Sequence, residues 1–478
     1  MPARHRLEVI LTPREGRKFS FCPGSGRRGI NITLSPLGGE GGVRGTRSEA
    51  MEAFPHWIIV LTVVIVLTRV GGLLARRFDI PTVTFHLLIG VVLGPSVLNL
   101  LGAPIILGTW GSPSPGPLHT VLKILGEIGL IQLMFLAGLE VDWWELKKRL
   151  KSSFSVGALG FGLTTVSVAI LTRLFVDGWP EALGMSAIMT ASGFGVSVYD
   201  FNEMKFLRSW AGNVLVGAAA LTGIFAVLLM IVSQATNYAV IFGAFKMVIA
   251  VSWFLGKLVM FFAIAYFLTS RFLRLSAKTG FQKRPRQMMI GYLLLVASLY
   301  AWAAMHFGTF AAVGVASLGG ALLGMSNPEV KEKIARGFGS RLASIPVGIL
   351  FIVIGMEVNL RAAETPFTFL AVLLAAVIGA KVIGCWVATN RGYQSSRERA
   401  IIMFGALSLG ETGILIAAYL FSRGVLSPPS FNVGTIAVVS LTIVSPVLMR
   451  IASSGFGIQT TCAQDAGPER SNSLSQNP

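Results

Sequence analysis

Apolar runs of about twenty residues, each closed by a short polar or basic stretch, recur along the chain from residue 54 to residue 452. A helix rises 1.5 Å per residue, so a run of that length crosses the roughly 30 Å hydrocarbon core of a bilayer. The pattern predicts spans at 54–75, 80–101, 119–140, 153–176, 182–203, 208–233 and 239–270. Further spans are expected at 286–306, 308–325, 343–360, 366–388, 397–422 and 431–452. The fold class that follows is an all-α polytopic membrane protein of about 13 transmembrane helices. The seventh run is longer than the core is thick and has to tilt or project.

The polar stretches set the orientation. Loops after odd-numbered spans carry Arg76 and Arg77, Lys147, Lys148, Arg149 and Lys151, then Lys205 and Arg208. Later odd loops carry Arg271, Arg274, Lys278, Lys283, Arg284 and Arg286, then Lys331, Lys333, Arg336 and Arg341, then Arg391, Arg397 and Arg399. Even loops hold little beyond Arg361 and Arg423. Positive charge stays in the cytoplasm, so the membrane domain is expected to begin outside and end inside.

Residues 1–50 are rich in Gly, Arg and Ser and hold no apolar stretch long enough for a signal peptide. They read as a disordered extension or as a start-site artefact ahead of Met51, and an Arg-rich segment outside the membrane would break the charge rule. Residues 51–453 form the membrane domain, and 454–478 are expected to be a disordered cytoplasmic tail.

Composition agrees with the pattern: 53% of residues are hydrophobic, only 13% are charged, and the mean hydropathy is +0.70. The net charge of +18 raises nucleic acid as a partner, but its confinement to short loops between apolar runs removes it. Cys22, Cys385 and Cys462 lie far apart in unrelated contexts, so no disulfide framework, metal site or cofactor is implied.

The chain also resembles itself. Gly138-Leu139-Glu140-Val141-Asp142 closes span 3 and Gly355-Met356-Glu357-Val358-Asn359 closes span 10. Gly90-Val91-Val92-Leu93-Gly94-Pro95-Ser96 in span 2 answers Gly320-Ala321-Leu322-Leu323-Gly324-Met325-Ser326 in span 9. Both pairs are an odd number of spans apart, so the copies face opposite ways, as in secondary transporters built from two inverted six-helix repeats. Spans 5 and 12 then correspond, with 239–270 as a linker helix. Span 5 is interrupted by Thr190-Ala191-Ser192-Gly193-Phe194-Gly195, and span 12 by Gly405-Ala406-Leu407-Ser408-Leu409-Gly410-Glu411-Thr412-Gly413. Small and polar residues at mid-depth free backbone groups, which is tolerable beside a cavity or another helix. These two are expected to be crossed broken helices; close packing of small residues is the plainer alternative.

Ionisable groups at depth are costly and mark function by default. Lys381 lies well inside span 11 and Glu411 mid-way along span 12. They read as a titrating centre, or as a structural pair bracing the crossover. Glu127 and Lys257 lie closer to a surface. Glu140, Glu357, Asp200 and Glu203 sit near span ends, where interfacial roles are commoner. His86 and His306 have no partners at metal-ligand spacing and read as packing residues.

Leu125-Gly126-Glu127-Ile128-Gly129-Leu130, Leu133 through Asp142, Gly94-Pro95, mid-span Lys381 and Gly410-Glu411-Thr412-Gly413 together resemble bacterial monovalent cation:proton antiporters of the sodium/hydrogen and potassium/proton exchanger type. The resemblance covers most of 51–453. It implies a homodimer in a bacterial cytoplasmic membrane, concerned with pH homeostasis. In it 54–140 and 286–360 form the dimer scaffold, while 153–233 and 366–452 form a core that moves as an elevator. The chain departs from that family where it matters most. The acidic motif of span 6 is replaced by Thr222-Gly223, the hydroxyl pair of span 5 is Ser192-Gly193, and Leu409 stands where an Arg usually precedes Gly-Glu.

The expected site therefore comprises Glu411 and Lys381 as titrating groups. Ser192, Thr222, Thr190, Thr412 and Asn213 are candidate ligands for cation or proton, with Glu127 secondary. The expected function is exchange of sodium or potassium for protons; the alternative is an exchanger fold without proton coupling, acting as a sensor, uniporter or carrier. An intramembrane protease is disfavoured, because Tyr199-Asp200 has no Gly-x-Gly-Asp partner anywhere in the chain.

Overall fold

The computed structural model describes residues 61–98, 117–242, 345–361, 366–390 and 395–454, with Gly320 and single positions between 245 and 271. The chain divides into Met1–Glu52, which lies outside the described residues, and Ala53–Pro478, which carries every helix discussed below.

Residues 61–78 form α1. It is followed by α2 (Thr82–Leu93), α3 (Pro117–Glu140), α4 (Trp143–Lys148), α5 (Leu150–Phe175), α6 (Trp179–Thr190) and α7 (Phe194–Glu203). Then come α8 (Trp210–Phe242), α9 (Ile345–Met356), α10 (Phe367–Thr389), α11 (Ser396–Gly405), α12 (Gly410–Ser422) and α13 (Pro428–Ser454). Among the described residues, seven stretches are long and apolar enough to cross a membrane; two of them are the joined pairs α6–α7 and α11–α12. The chain is a multi-pass α-helical membrane protein. Spans 8 and 9 apart from Gly320, and most of span 7, fall outside the described residues.

One boundary differs from expectation. Residues 234–238, read as the loop between spans 6 and 7, lie inside α8, which continues to Phe242. The polar residues there do not break the helix: the Thr236 hydroxyl turns back onto it, and Gln234 Oε1 accepts from the Tyr419 hydroxyl of α12 at 3.1 Å. Thr236 Oγ1 donates to Val232 O and Ser233 O, both at 2.8 Å, and neither Gly nor Pro interrupts the stretch. Thirty-three residues make a helix about 50 Å long, well beyond the hydrocarbon thickness.

Glycines set how closely the helices pack. A Cβ on Gly90 of α2 would collide with Ile352 O of α9, and one on Gly355 of α9 with Leu87 O of α2. Gly129 of α3 abuts Pro346 O of α9, and Gly320 abuts Phe135 O of α3. These four helical segments form one tight group. In a second group α5 lies against α10, where a Cβ on Gly384 would come within 2.9 Å of Gly160 Cα. Without water to drive apolar association between helices, such close backbone approach supplies the van der Waals contact that holds a membrane bundle. The largest apolar core gathers Met185, Ile188 and Met189 of α6, Ile416 and Leu420 of α12 and Val433 and Val438 of α13, all fully or almost fully buried. It encloses the two interrupted helices.

Candidate functional site

Two helices stop inside this core and start again. The α6 backbone leaves helical geometry at Ala191 (φ −54°, ψ 138°) and resumes after Gly193 (φ −71°, ψ 104°) as α7. The α11 helix ends at Gly405, and α12 begins at Gly410, whose φ is +56°. The breaks touch: a Cβ on Gly193 would lie 2.7 Å from Gly410 Cα, and one on Gly410 would lie 2.9 Å from Gly193 Cα. Only glycine fits at that approach, and only glycine adopts the Gly410 backbone without strain.

Each break exposes helix ends, with bare carbonyls at one and bare amides at the other. Lys381 and Glu411 serve these ends. Lys381, 3% exposed on α10, donates from Nζ to Ala406 O at 3.0 Å and to Ala191 O at 3.5 Å, the carbonyls that finish α11 and α6. Glu411, 1% exposed, accepts from Gly195 N at 3.0 Å through Oε1 and from Val196 N at 3.2 Å through Oε2. Those amides open α7. Thr412 Oγ1 donates to Glu411 Oε1 at 3.4 Å, and Gly410 N donates to Thr442 Oγ1 at 3.0 Å. A cation thus sits on two negative helix ends and an anion on a positive one, the arrangement that the helix dipoles favour. Lys381 and Glu411 do not pair with each other; each pairs with backbone.

On the Lys381 side lies a cavity of about 20 Å³, lined by Thr190, Ser192, Ser197, Thr222, Lys381 and Cys385, among others. It is large enough for one water-sized occupant. The Thr190 hydroxyl donates to Ser186 O at 2.7 Å and the Thr222 hydroxyl to Ala218 O at 2.9 Å. With their protons so engaged, both oxygens have only lone pairs left for a ligand. Four of the expected site residues therefore meet here: Thr190, Ser192, Thr222 and Lys381. Glu411 and Thr412 lie at the same crossing without lining this cavity. Asn213 is elsewhere, with Nδ2 donating to Ser209 O at 3.1 Å in the first turn of α8. Glu127 is half-buried on α3 and lines neither this cavity nor the larger one.

The larger cavity, of about 650 Å³, is bounded by α1, α2, α3 and α7 and lined in part by Thr82, His86, Gln132, Glu140, Tyr199 and Glu203. Glu203 accepts from Thr82 N at 2.7 Å and Thr82 Oγ1 at 2.8 Å, and the Tyr199 hydroxyl lies 3.2 Å from the same Oγ1. The α7 carboxylate thereby caps α2, whose N-cap Pro81 offers no side-chain acceptor. His86 Nε2 lies 3.0 Å from Thr68 O, as a packing histidine would.

Sequence reasoning passed over Asp200. Three residues from the end of its span, it reads as interfacial, yet in the fold it is 1% exposed and both carboxylate oxygens are buried without a hydrogen-bond partner. The helices α2, α3, α8 and α12 pack around α7, and the segment after it folds back on its end. Phe206 N and Leu207 N both return to Phe201 O, at 2.8 and 3.1 Å, closing the chain over the helix end. The Val-Ser-Val and Phe that flank Asp200 are the sequence signal that this is not a surface turn.

Half-helices crossing at mid-depth, with charged side chains on their open ends, define a polytopic membrane protein of the exchanger type. The chain belongs to the sodium/hydrogen exchanger family: the model of the family's transmembrane domain matches residues 60–450. It is 23% identical to the probable Na(+)/H(+) antiporter GerT of Bacillus cereus over 378 residues, covering 78% of this chain and 92% of that one. To the Na(+)/H(+) antiporter NhaS4 of Synechocystis it is 26% identical over 405 residues, covering 82% and 96%. Among solved structures it is similar to the sodium proton antiporter MjNhaP1 of Methanocaldococcus jannaschii at pH 8, with a TM-score of 0.61 and 16% identity over 85% of this chain and 98% of that one. That likeness supports the same fold, an α-helical membrane exchanger. The protein is a membrane transporter rather than an enzyme.

Proposed function

We propose that the chain is a secondary active transporter that exchanges a monovalent cation, sodium or potassium, for protons. The observation that carries this reading is Lys381, buried at the crossing of two broken helices beside the oxygens of Thr190, Ser192 and Thr222. A cation shedding its water needs oxygen ligands, and an intramembrane charge kept at such cost serves a pathway. Family membership supports the same reading, as does the similarity to proteins named Na(+)/H(+) antiporters and to the Na(+)/H(+)-K(+) antiporter GerN of Bacillus cereus.

A cation entering the small cavity is repelled by the Lys381 ammonium group and has to be compensated by oxygen ligands there. Glu411 holds the crossing together, because both its oxygens are committed to backbone amides. The packing of α2 on α9, mirrored by that of Gly320 on α3, supports the inverted repeat, since spans 2 and 10 and spans 9 and 3 exchange under it. The α1–α3 and α9 group then serves as the dimer scaffold, with α5–α8 and α10–α13 as a core that moves as an elevator and an amino-terminal side outside the cell.

A specific observation favours a second reading. Among the described residues no carboxylate lines the Lys381 cavity, which suits an exchanger fold without proton coupling. Proteoliposomes holding a pH dye separate the two. Sodium or potassium pulses should move the dye, and silence to sodium, potassium and lithium alike would remove proton coupling.

A further inference from the structure

Exchange requires a group that holds either a proton or a cation, and α8 lines the cavity with Leu215, Ala218, Ala219 and Thr222, none of which titrates. The described residues contain one acid in the core that nothing engages. Asp200 is 1% exposed, and neither of its oxygens has a donor. The charged groups that act on it are Glu203 of its own helix and Glu411 of α12, both acidic. Of the other helices packed against α7, α8 carries no charged side chain. The α3 helix carries His119, Lys123, Glu127 and Glu140, and α2 carries His86; the charges that bear on Asp200 are Glu203 and Glu411 alone among these groups.

Its place on the helix is specific. At about 100° per residue, Asp200 falls about 60° from Ser197 to one side and about 60° from Glu203 to the other. Ser197 lines the small cavity with Lys381. Glu203 and Tyr199 line the large one. Asp200, which lines neither, therefore stands on the strip of α7 between the small cavity and the large one, less than one helical turn from a lining residue of each.

We propose that Asp200 is the acid that carries the exchanged proton in this chain, supplying from α7 the carboxyl group that α8 lacks at Thr222 and Gly223. A bare carboxylate buried without a donor is costly, and either a proton or a monovalent cation removes that cost. The step balances: the protonated carboxyl group and an arriving monovalent cation become a carboxylate–cation pair and one released proton. The proton leaves toward the Glu203 side. Lys381 remains on its helix ends throughout and keeps the cation from settling as a permanent ligand of the hydroxyl groups.

This inference rests on the exchange reading, and the full-length protein in dye-loaded proteoliposomes tests the two separately. If the wild type answers neither sodium, potassium nor lithium, the exchange reading falls and this inference with it. If the wild type responds and D200N responds equally, only the Asp200 assignment falls. The expected result is a loss of at least about tenfold in D200N, with unchanged elution from a sizing column. D200E is expected to restore exchange with its pH midpoint displaced, since a longer carboxylate keeps the chemistry in a different setting. D200E also decides the matter if D200N does not fold: a displaced midpoint supports the assignment, whereas a wild-type midpoint or an inactive, well-folded D200E overturns it.

Discussion

Lys381 and Glu411 are each held by backbone, which makes their removal costly in a way that a mutual ion pair would not be. E411A leaves the amides of Gly195 and Val196 without an acceptor in a buried setting, at a cost of about 3 kcal/mol. E411Q, which keeps one acceptor oxygen, should lose about half as much. Thermal unfolding in detergent, followed by intrinsic tryptophan fluorescence, checks the order; equal midpoints for E411A and wild type would contradict the capping role. K381M keeps most of the side-chain volume and removes the donor to Ala406 O and Ala191 O. It should lower the midpoint and abolish exchange together. At position 223 there is room for a side chain, because an added Cβ meets nothing nearer than Ser192 O at 3.8 Å. G223D is therefore expected to fold, and to rescue D200N if the missing function is a carboxyl group at this crossing. Failure of a folded double variant to recover any cation-driven proton movement would count against that equivalence.

At the scale of elements, the crossing depends on two glycines that meet. Gly410 and Gly424 both have positive φ, +56° and +66°, but only Gly410 is crowded, with Gly193 Cα at 2.9 Å and Val196 at 3.0 Å from an added Cβ; Gly424 has nothing within 4 Å. G424A should cost only the backbone penalty, about 1 kcal/mol, and G410A a further 1–3 kcal/mol or so for overpacking. Unfolding midpoints of the two variants, measured side by side, isolate the crossing, and equal shifts would show that the contact contributes nothing. The breaks themselves were legible in the sequence, because Gly and Ser clustered at mid-depth leave a helix no reason to continue. So were Lys381 and Glu411, whose charge stands out in apolar runs, though not their separate backbone partners. The continuity of α8 across 234–238 was not legible, since a threonine that turns back onto its own helix and a glutamine engaged by a neighbouring one look like loop residues on a hydropathy scale. Asp200 was hidden for another reason: it stands near a span end, and its burial comes from the helices packed around α7, which position along a hydropathy profile does not show.

At the scale of the molecule, and on the proposed elevator reading, polar contacts at one end would tie the moving core to the scaffold. Glu203 of α7 caps α2 through Thr82, and Arg450 at the end of α13 pairs with Asp79 before α2. Movement of the core past the scaffold has to break both. A T82C/E203C disulfide is expected to stop exchange on oxidation and to release it on reduction, and full exchange in the oxidised protein would exclude the elevator. Coupled exchange ties the flow of cation to the flow of protons. Uptake of radioactive sodium, or of rubidium as a tracer for potassium, into proteoliposomes with an acid interior tests it most directly. The account predicts accumulation of tracer above its external concentration, collapsing when a protonophore dissipates the gradient. Uptake that is the same with and without the pH gradient would contradict it.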